Sequence, residues 1–354
     1  MSISRRRFVA DAAGCASGLA AAAGCASYLA TVGRFLPREA RERWGGAGAG
    51  ATSGAGGRRN SRGGSGRHVG RIVAQEPWAR IEEVGPGMYA VISTPLGGDY
   101  TTVCNGGIIG GSAETLVVEA FMSERGAAWV AGKARELTGR WPGQVVVSHH
   151  HADHSAGAAG FAGTGGGDAA PALHATQTTR NLVVTSPTNE GPLAPWADAV
   201  LVPEGGPVNF DLGDRSVTVQ PREGHTASDL TVEVDGGEGP VWCGDLVWNA
   251  MFPNYVDATP SRLSRSVRAL GGLPAPVFVP GHGPLADAEA LARYTAVIDS
   301  VEEAARDAME DGRTAQEAAE DYEVPEELGE WTLFNPAYYQ RAIEAWMREL
   351  GGGH

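Results

Sequence analysis

Lysine is almost absent from this chain of 354 residues, where Lys133 stands alone. Arginine is used elsewhere, a preference we read as genomic base composition and not as function. Cysteine is scarce as well. Cys15 and Cys25 sit near the N-terminus and Cys104 and Cys243 in the body, none in a Cys-x-x-Cys pair, so nothing indicates a cysteine zinc site. The two body cysteines read as buried free thiols. Basic charge is thin beyond the N-terminal segment. Residues 1–70 hold eleven Arg against three acidic residues, or +8, so the net charge of -14 leaves -22 on the remainder. A body that acidic repels phosphate backbones, which argues against sequence-independent nucleic-acid binding. No internal repeat is visible in the residue pattern. A hydrophobic content of 42% is ample for a sizeable core.

The N-terminus reads as an address. Ser4-Arg5-Arg6-Arg7-Phe8 resembles a twin-arginine export motif, and Ala12 to Val32 follows with no charge and much Ala, Gly and Ser. Ala22-Ala23-Gly24-Cys25 resembles a lipobox with Ala where Leu is usual, making Cys25 a candidate for lipidation and the N-terminus a candidate membrane tether. Residues 1–36 are therefore assigned to an export signal or anchor, and the protein is expected outside the cytoplasm. Residues 37–70 form a linker rich in Gly, Ser and Arg. The folded body is expected over residues 71–354.

Within the body, β-rich runs occur at Gly87–Ser93, Val103–Ile109 and Thr115–Glu119, followed by a helical stretch at Ser123–Thr138. Gln144-Val145-Val146-Val147 has the β-branched, apolar character of a buried strand. Further strands are expected at Ser216–Gln220, Leu230–Val234, Val241–Cys243 and Val277–Val279, and helices at Ala286–Asp311 and Pro336–Leu350. Strands alternating with helices predict a layered α/β domain.

Directly after the Val145–Val147 run stands His149-His150-His151-Ala152-Asp153-His154. Zinc favours neutral imidazole nitrogen and carboxylate oxygen, brought together from rigid supports. Strand alternation places His149 and His151 on one side and turns His150 away, while Asp153 and His154 fall on the next turn and can face a second ion. One cluster cannot complete two sites, so more ligands are expected at later strand ends. His225 follows Gly224, Asp245 follows Gly244, and His282 lies between Gly281 and Gly283. Glycine beside each suits a tight turn approaching an ion. The remaining histidines, His68, His150, His174 and His354, fit no part of this pattern.

In order, His149, His151, Asp153, His154, His225, Asp245 and His282 resemble the seven-ligand pattern of the metallo-β-lactamase superfamily, over roughly Gly87 to Gly283. The resemblance implies a four-layer αββα sandwich with two Zn2+ at one edge. His149, His151 and His225 would hold the first ion, and Asp153, His154 and His282 the second, with Asp245 bridging. It implies a hydrolase in which a hydroxide shared by the two ions attacks an ester, lactone, thioester or amide carbonyl of a small-molecule substrate. Asp153 would also orient the nucleophile or pass a proton to the leaving group.

Finer specificity is less legible. β-Lactamases with cysteine at the bridging position are not matched, because Asp245 stands there; β-lactam hydrolysis stays as an alternative, with phosphodiesterase and non-catalytic metal-binding roles behind it. Flavodiiron oxidoreductases typically carry glutamate where His151 stands and a flavin domain for which no stretch remains. Glyoxalase II-like thioesterases share the five histidines and Asp245. The run Trp248-Asn249-Ala250-Met251-Phe252-Pro253-Asn254-Tyr255 follows Asp245, and Trp248, Phe252, Asn254 and Tyr255 are candidate substrate contacts, a packed loop being the alternative. Arg262, Arg265 and Arg268 read as a solvated helix face or an anion clamp, and Thr226, Ser228 and Asp229 as supports for His225.

Overall fold

The computed structural model describes residues 70–163, 170–186 and 191–352. The export signal, the linker up to its last residue, His68 and His354 lie outside the described residues. Among those described, no helix is long and apolar enough to cross a membrane.

The first sheet takes strands β1 (Arg71–Gln75), β2 (Ala79–Gly85), β3 (Met88–Ser93), β4 (Gly106–Gly110), β5 (Thr115–Val118), β6 (Gln144–Val146), β7 (Ala172–Thr176) and β8 (Val200–Val202), side by side in chain order. The second holds β9 (Val208–Asp211), β10 (Ser216–Arg222), β11 (Asp229–Val234), β12 (Val241–Trp248) and β13 (Phe278–His282), with β13 and β9 at its edges. β1 to β5 pair antiparallel, whereas β5 to β8 run parallel. β12 and β13 also run parallel. Parallel neighbours need crossovers, and helices provide them. In chain order these are α1 (Glu124–Thr138), α2 (Ala152–Ser155), α3 (Gln177–Thr185), α4 (Ala194–Ala197) and α5 (Pro260–Gly271). α6 (Ala288–Glu310), α7 (Ala315–Asp321) and α8 (Tyr338–Gly351) complete the body.

Strand alternation sorts the side chains into three cores. Val145 and Val147 pack with Val130, Ala131 and Ala134 of α1, while Val146 between them faces the second sheet. The intersheet core joins Ile92, Ile109, Leu116 and Val118 to Val217, Val219, Val232 and Val279. Beyond the second sheet, Cys243, Val247 and Phe278 meet Leu263, Val267, Tyr294, Ile298 and Trp346. The architecture is thus the αββα sandwich, and each fully buried aliphatic side chain contributes about 1.5–3 kcal/mol.

Two details fix the sheets against each other. The Trp242 indole crosses the core and donates from Nε1 to the Gly106 carbonyl at 2.9 Å. Gly107 makes room for it, since a Cβ there would lie 2.0 Å from that nitrogen. Asn105 accepts from the Ser93 amide through Oδ1 and donates from Nδ2 to the carbonyls of Pro280 and Gly283 at 3.0 and 2.8 Å. Asn105 is therefore a clamp on the end of β13.

Several boundaries move. β12 runs five residues beyond Cys243, to Trp248. β4 begins at Gly106 and not at Val103, whose φ of 66° is incompatible with a strand. Arg262, Arg265 and Arg268 all lie exposed on α5, with Arg262 paired to Glu223 and Arg268 to Asp299, as expected of a solvated face. Cys104 and Cys243 are buried free thiols.

Candidate metal centre

The seven residues singled out in the sequence meet beyond the end of β6, within β12, at the end of β13 and on the turn after β10, at one rim of the sandwich. Most of them lie at carboxyl ends of parallel strands, where layered α/β folds place their ligand sites. They form two groups. In the first, His149 Nε2 and His225 Nε2 each lie 3.0 Å from His151 Nδ1. Asp245 Oδ2 closes this set, 3.4 Å from His225 Nε2 and 3.8 Å from His149 Nε2. In the second, His282 Nε2 and His154 Nε2 lie 3.1 and 3.6 Å from Asp153 Oδ2. Asp245 Oδ1 lies 3.1 Å from His154 Nε2 and 3.4 Å from His282 Nε2.

A tetrahedral zinc with bonds of about 2.0–2.2 Å needs donor atoms about 3.3–3.6 Å apart. The donor separations cluster around that value in both groups. Hydrogen bonding alone does not account for them. His151 Nδ1 faces two other ring nitrogens and a proton on it can serve only one. His154 Nε2 and Asp245 Oδ1 are buried and 3.1 Å apart, yet neither makes a well-aligned hydrogen bond. Such atoms are costly in a dry interior unless something else meets them, and a cation would do so here. The residues fit two divalent ions.

The pair His149 and His151 is assembled by a turn, not by the pleat of a strand. β6 ends at Val146, and His151 occupies the position preceding α2. His150 accordingly does not point away from its neighbours. Its Nε2 reaches within 3.5 Å of Asp257 Oδ2, the oxygen that accepts from His151 Nε2 at 2.9 Å. His174 is structural, its Nε2 lying 2.6 Å from Gln144 Oε1.

Behind the ligands stands an outer layer of which the sequence marked only the supports of His225. Ser148 Oγ meets His149 Nδ1 at 2.9 Å. Glu119, buried at the end of β5, places Oε1 3.2 Å from His154 Nδ1 and accepts the Ser148 amide through Oε2. Its place, an acid closing an apolar strand, was a usable signal. Asp229 supports His225 through the main chain, accepting the amides of His225 and Thr226 and the Thr226 hydroxyl. Val103, Glu119 and Phe121 have φ of 66°, 78° and 61°. Left-handed backbone at such residues costs about 1–3 kcal/mol each and gathers where geometry is held for function.

Of the two readings of the aromatic run after Asp245, the packed loop and not the pocket wall is the one its placement fits. Phe252 and Tyr255 are 0% and 1% exposed, packed into the helix-side core, with Phe252 edge-on to Tyr322 and Tyr339. Trp248, also buried, lies against the His282 ring with centroids 4.2 Å apart. Asn254 accepts the Val256 amide. The exposed residues of this loop are Val256 and Asp257. Core anchoring wins because the loop lies between β12 and the helices, where burying two aromatic rings stabilises the body directly.

Electrostatics divides the histidines. Burial drives His149 well below the usual imidazole range and His225 down to about 3, so both are neutral donors. Burial opposes a proton on His282 too, but the Asp245 and Asp153 carboxylates outweigh it and raise the group to about 9. His154 is likewise held well above its ordinary value, burial being overcome by Cys104, Asp245, Asp153 and Glu119. The metal-free protein therefore carries protons on His154 and His282 at neutral pH, and an arriving cation must expel them. Metal affinity should fall as pH drops below about 9 and His282 protonates, with the raised His154 acting in the same direction. Calorimetric titration with zinc at pH 7, in buffers of different ionisation enthalpy, should report release of about two protons per chain from this set. Heats independent of buffer would contradict the assignment.

Residues 99–282 match the family model described as the metallo-beta-lactamase superfamily, a span that contains all seven residues. The chain is 29% identical to the hydroxyacylglutathione hydrolase of Shewanella sp. (strain ANA-3) over 138 residues, covering 37% of this chain and 44% of that one. With the hydroxyacylglutathione hydrolase of Acidiphilium cryptum (strain JF-5) the identity is 30% over 164 residues, covering 46% and 59%. The chain thus spans about half the length of the curated relatives it matches. Among solved structures, a metallo beta lactamase from Erythrobacter litoralis superposes with a TM-score of 0.51 at 17% identity, covering 64% of this chain and 99% of that one. The stereoselective inverting sec-alkylsulfatase of Pseudomonas sp. gives 0.59 at 16% identity, over 93% and 62%. At such identities the structural likeness speaks for the fold alone.

Proposed function

The chain belongs to the metallo-beta-lactamase superfamily, and from that premise we propose that it is a dizinc hydrolase of small acyl compounds, with thioesters ahead of esters, lactones and amides. The observation that carries the reading is the division of Asp245, whose two oxygens face two separate donor sets. The thioester preference rests on the curated relatives, which are hydroxyacylglutathione hydrolases. His149, His151 and His225 would hold one ion, Asp153, His154 and His282 the other, and Asp245 both.

Two divalent ions so held would lower the pKa of water towards neutrality and polarise a substrate carbonyl. The protein's own groups do the rest. The depressed histidines offer lone pairs without first losing a proton. Asp153, held down to about 2 because the His154 charge and the His282 hydrogen bond outweigh its burial, stays an acceptor throughout the neutral range. Its side chain is 23% exposed, against 0% for His154 and 9% for His282, so it is the member of the second set open to substrate. Asp153 is thus the group placed to take a proton from the nucleophile and hand it to the leaving atom.

The test joins metal analysis to a substrate panel. Zinc-saturated protein should hold about two zinc ions per chain and cleave an acylglutathione faster than a lactone or a β-lactam, with activity abolished by chelator. One metal or fewer after saturation, or mostly iron, would overturn the dizinc assignment. Two zinc ions with no chelator-sensitive hydrolysis across the panel would instead make the protein a non-catalytic metal binder.

A further inference from the structure

We infer that Asp257 is a positioning residue for the first donor set, holding His151 in the tautomer that presents Nδ1 to the ion; the inference rests on the metal-binding reading above. A neutral imidazole carries one ring proton, and only the other nitrogen can ligate. His151 Nδ1 faces His149 and His225, so the proton must reside on Nε2. Asp257 Oδ2 stands 2.9 Å from that nitrogen and accepts from it. A carboxylate there fixes the ring's rotation as well as its tautomer, and makes Nδ1 a stronger donor.

The loop bearing Asp257 is built to keep the carboxylate there. Phe252 and Tyr255 root it in the helix-side core, leaving Val256 and Asp257 at its exposed tip. The Ala258 amide returns to the Tyr255 carbonyl. The Thr259 amide donates to the Gly224 carbonyl at 2.9 Å, tying the loop's far end to the turn that carries His225. One loop therefore braces two of the three histidines of the first set. The aromatic residues that look in sequence like pocket lining act as its anchor. His150 shares the carboxylate from the other side, its Nε2 3.5 Å from the same oxygen.

His150, His151 and Asp257 also form a group compact enough to hold a cation. An ion there would require His151 to ligate through both nitrogens at once, surrendering both protons. The hydrogen-bonded arrangement avoids that, and it is the one the first set needs.

Zinc affinity, measured by competition with a chromophoric chelator, separates the possibilities without recourse to activity. Asp257→Ala should weaken the first-set ion about 10–100-fold, and Asp257→Glu should restore most of the loss, since the position is half exposed and accommodates the longer side chain. The weakening should persist in a His282→Ala background, which keeps the first set, and vanish in His225→Ala, which lacks it. The chelator-treated Asp257→Ala protein should unfold at the wild-type temperature, because the carboxylate is not part of the core. Unchanged first-set affinity in Asp257→Ala would overturn the proposal. So would loss of a third, weaker zinc equivalent with the first two intact, which would make Asp257 a ligand in its own right. Failure of the underlying reading looks different: wild-type protein would then bind no zinc, or His225→Ala would bind it as wild type does.

Discussion

Replacing Asp245 by Ala should strip the protein of both metal ions and lower chelator-sensitive hydrolysis by about three orders of magnitude or more. Among the described residues, Asp245 alone has an oxygen facing each donor set. Oδ2 closes the first at 3.4 Å from His225, and Oδ1 closes the second at 3.1 Å from His154. Taking away the carboxylate leaves three donors in each set and removes the charge shared between the two ions. It also removes the counter-charge that holds protons on His154 and His282, so the metal-free variant must bury cationic imidazole with fewer anionic neighbours or release the protons. Elemental analysis of the purified variant reads the first effect, and thermal unfolding in chelator reads the second. Retention of one tightly held zinc would mean that the carboxylate serves a single ion. Asp245→Asn is the informative companion. Its amide has the same shape but one acceptor oxygen and no charge, so it too should fail to hold both ions.

Gly281→Ala should be nearly as damaging, although glycine to alanine is the smallest side-chain addition available. Gly281 stands in β13 immediately before His282 and against β12, which carries Asp245. A Cβ there would fall 1.9 Å from Asp245 Oδ1, 2.8 Å from the Gly244 carbonyl carbon and 2.9 Å from the Asp245 amide nitrogen. Two of those atoms are backbone and cannot swing aside. Either Asp245 turns out of the site or β12 and β13 separate. Overpacking of this kind costs about 1–3 kcal/mol, and the displaced Oδ1 is the one facing His154 and His282. The expected result is a lower melting temperature together with loss of the second ion. Gly132→Ala is the control. In α1 an added methyl meets nothing within 4 Å, and the helix gains slightly from the exchange. Equal behaviour of the two variants would show that β13 yields where this geometry says it cannot.

Much of the fold was readable because its strongest signals are local. Val145 to Val147 alternate between two cores, so the run had to be apolar throughout, and it was. The long helix α6 and the closing helix α8 lie within two residues of the expected limits at most ends, since periodic apolar faces survive in sequence. The ligands were readable for a related reason: each follows an apolar strand run in sequence, beside a glycine or another histidine, although β12 continues past Asp245 and β13 includes His282. What escaped depends on distance along the chain. Asn105 acts on carbonyls 175 and 178 residues away, and nothing near it in sequence announces that. Asp257 is 106 residues from His151 and looks like an ordinary loop acid. The aromatic loop was ambiguous at the level of composition, because a ring that lines a pocket and a ring that anchors a loop are the same residue. β1, β2 and β7 to β9 were not expected; all but the seven-residue β2 have three to five residues each.

The long-range clamp also sets a schedule. The centre draws on residues 149–154, 225, 245 and 282, and the Asn105 bonds that steady its last member cannot form until Gly283 has been made. A nascent chain that has finished the first sheet owns the histidine cluster but only fragments of either donor set. Pairings that span most of a domain are completed late, after the local hairpins and helices. On the dizinc reading, a complete centre therefore becomes available only to a chain whose second sheet is already in place.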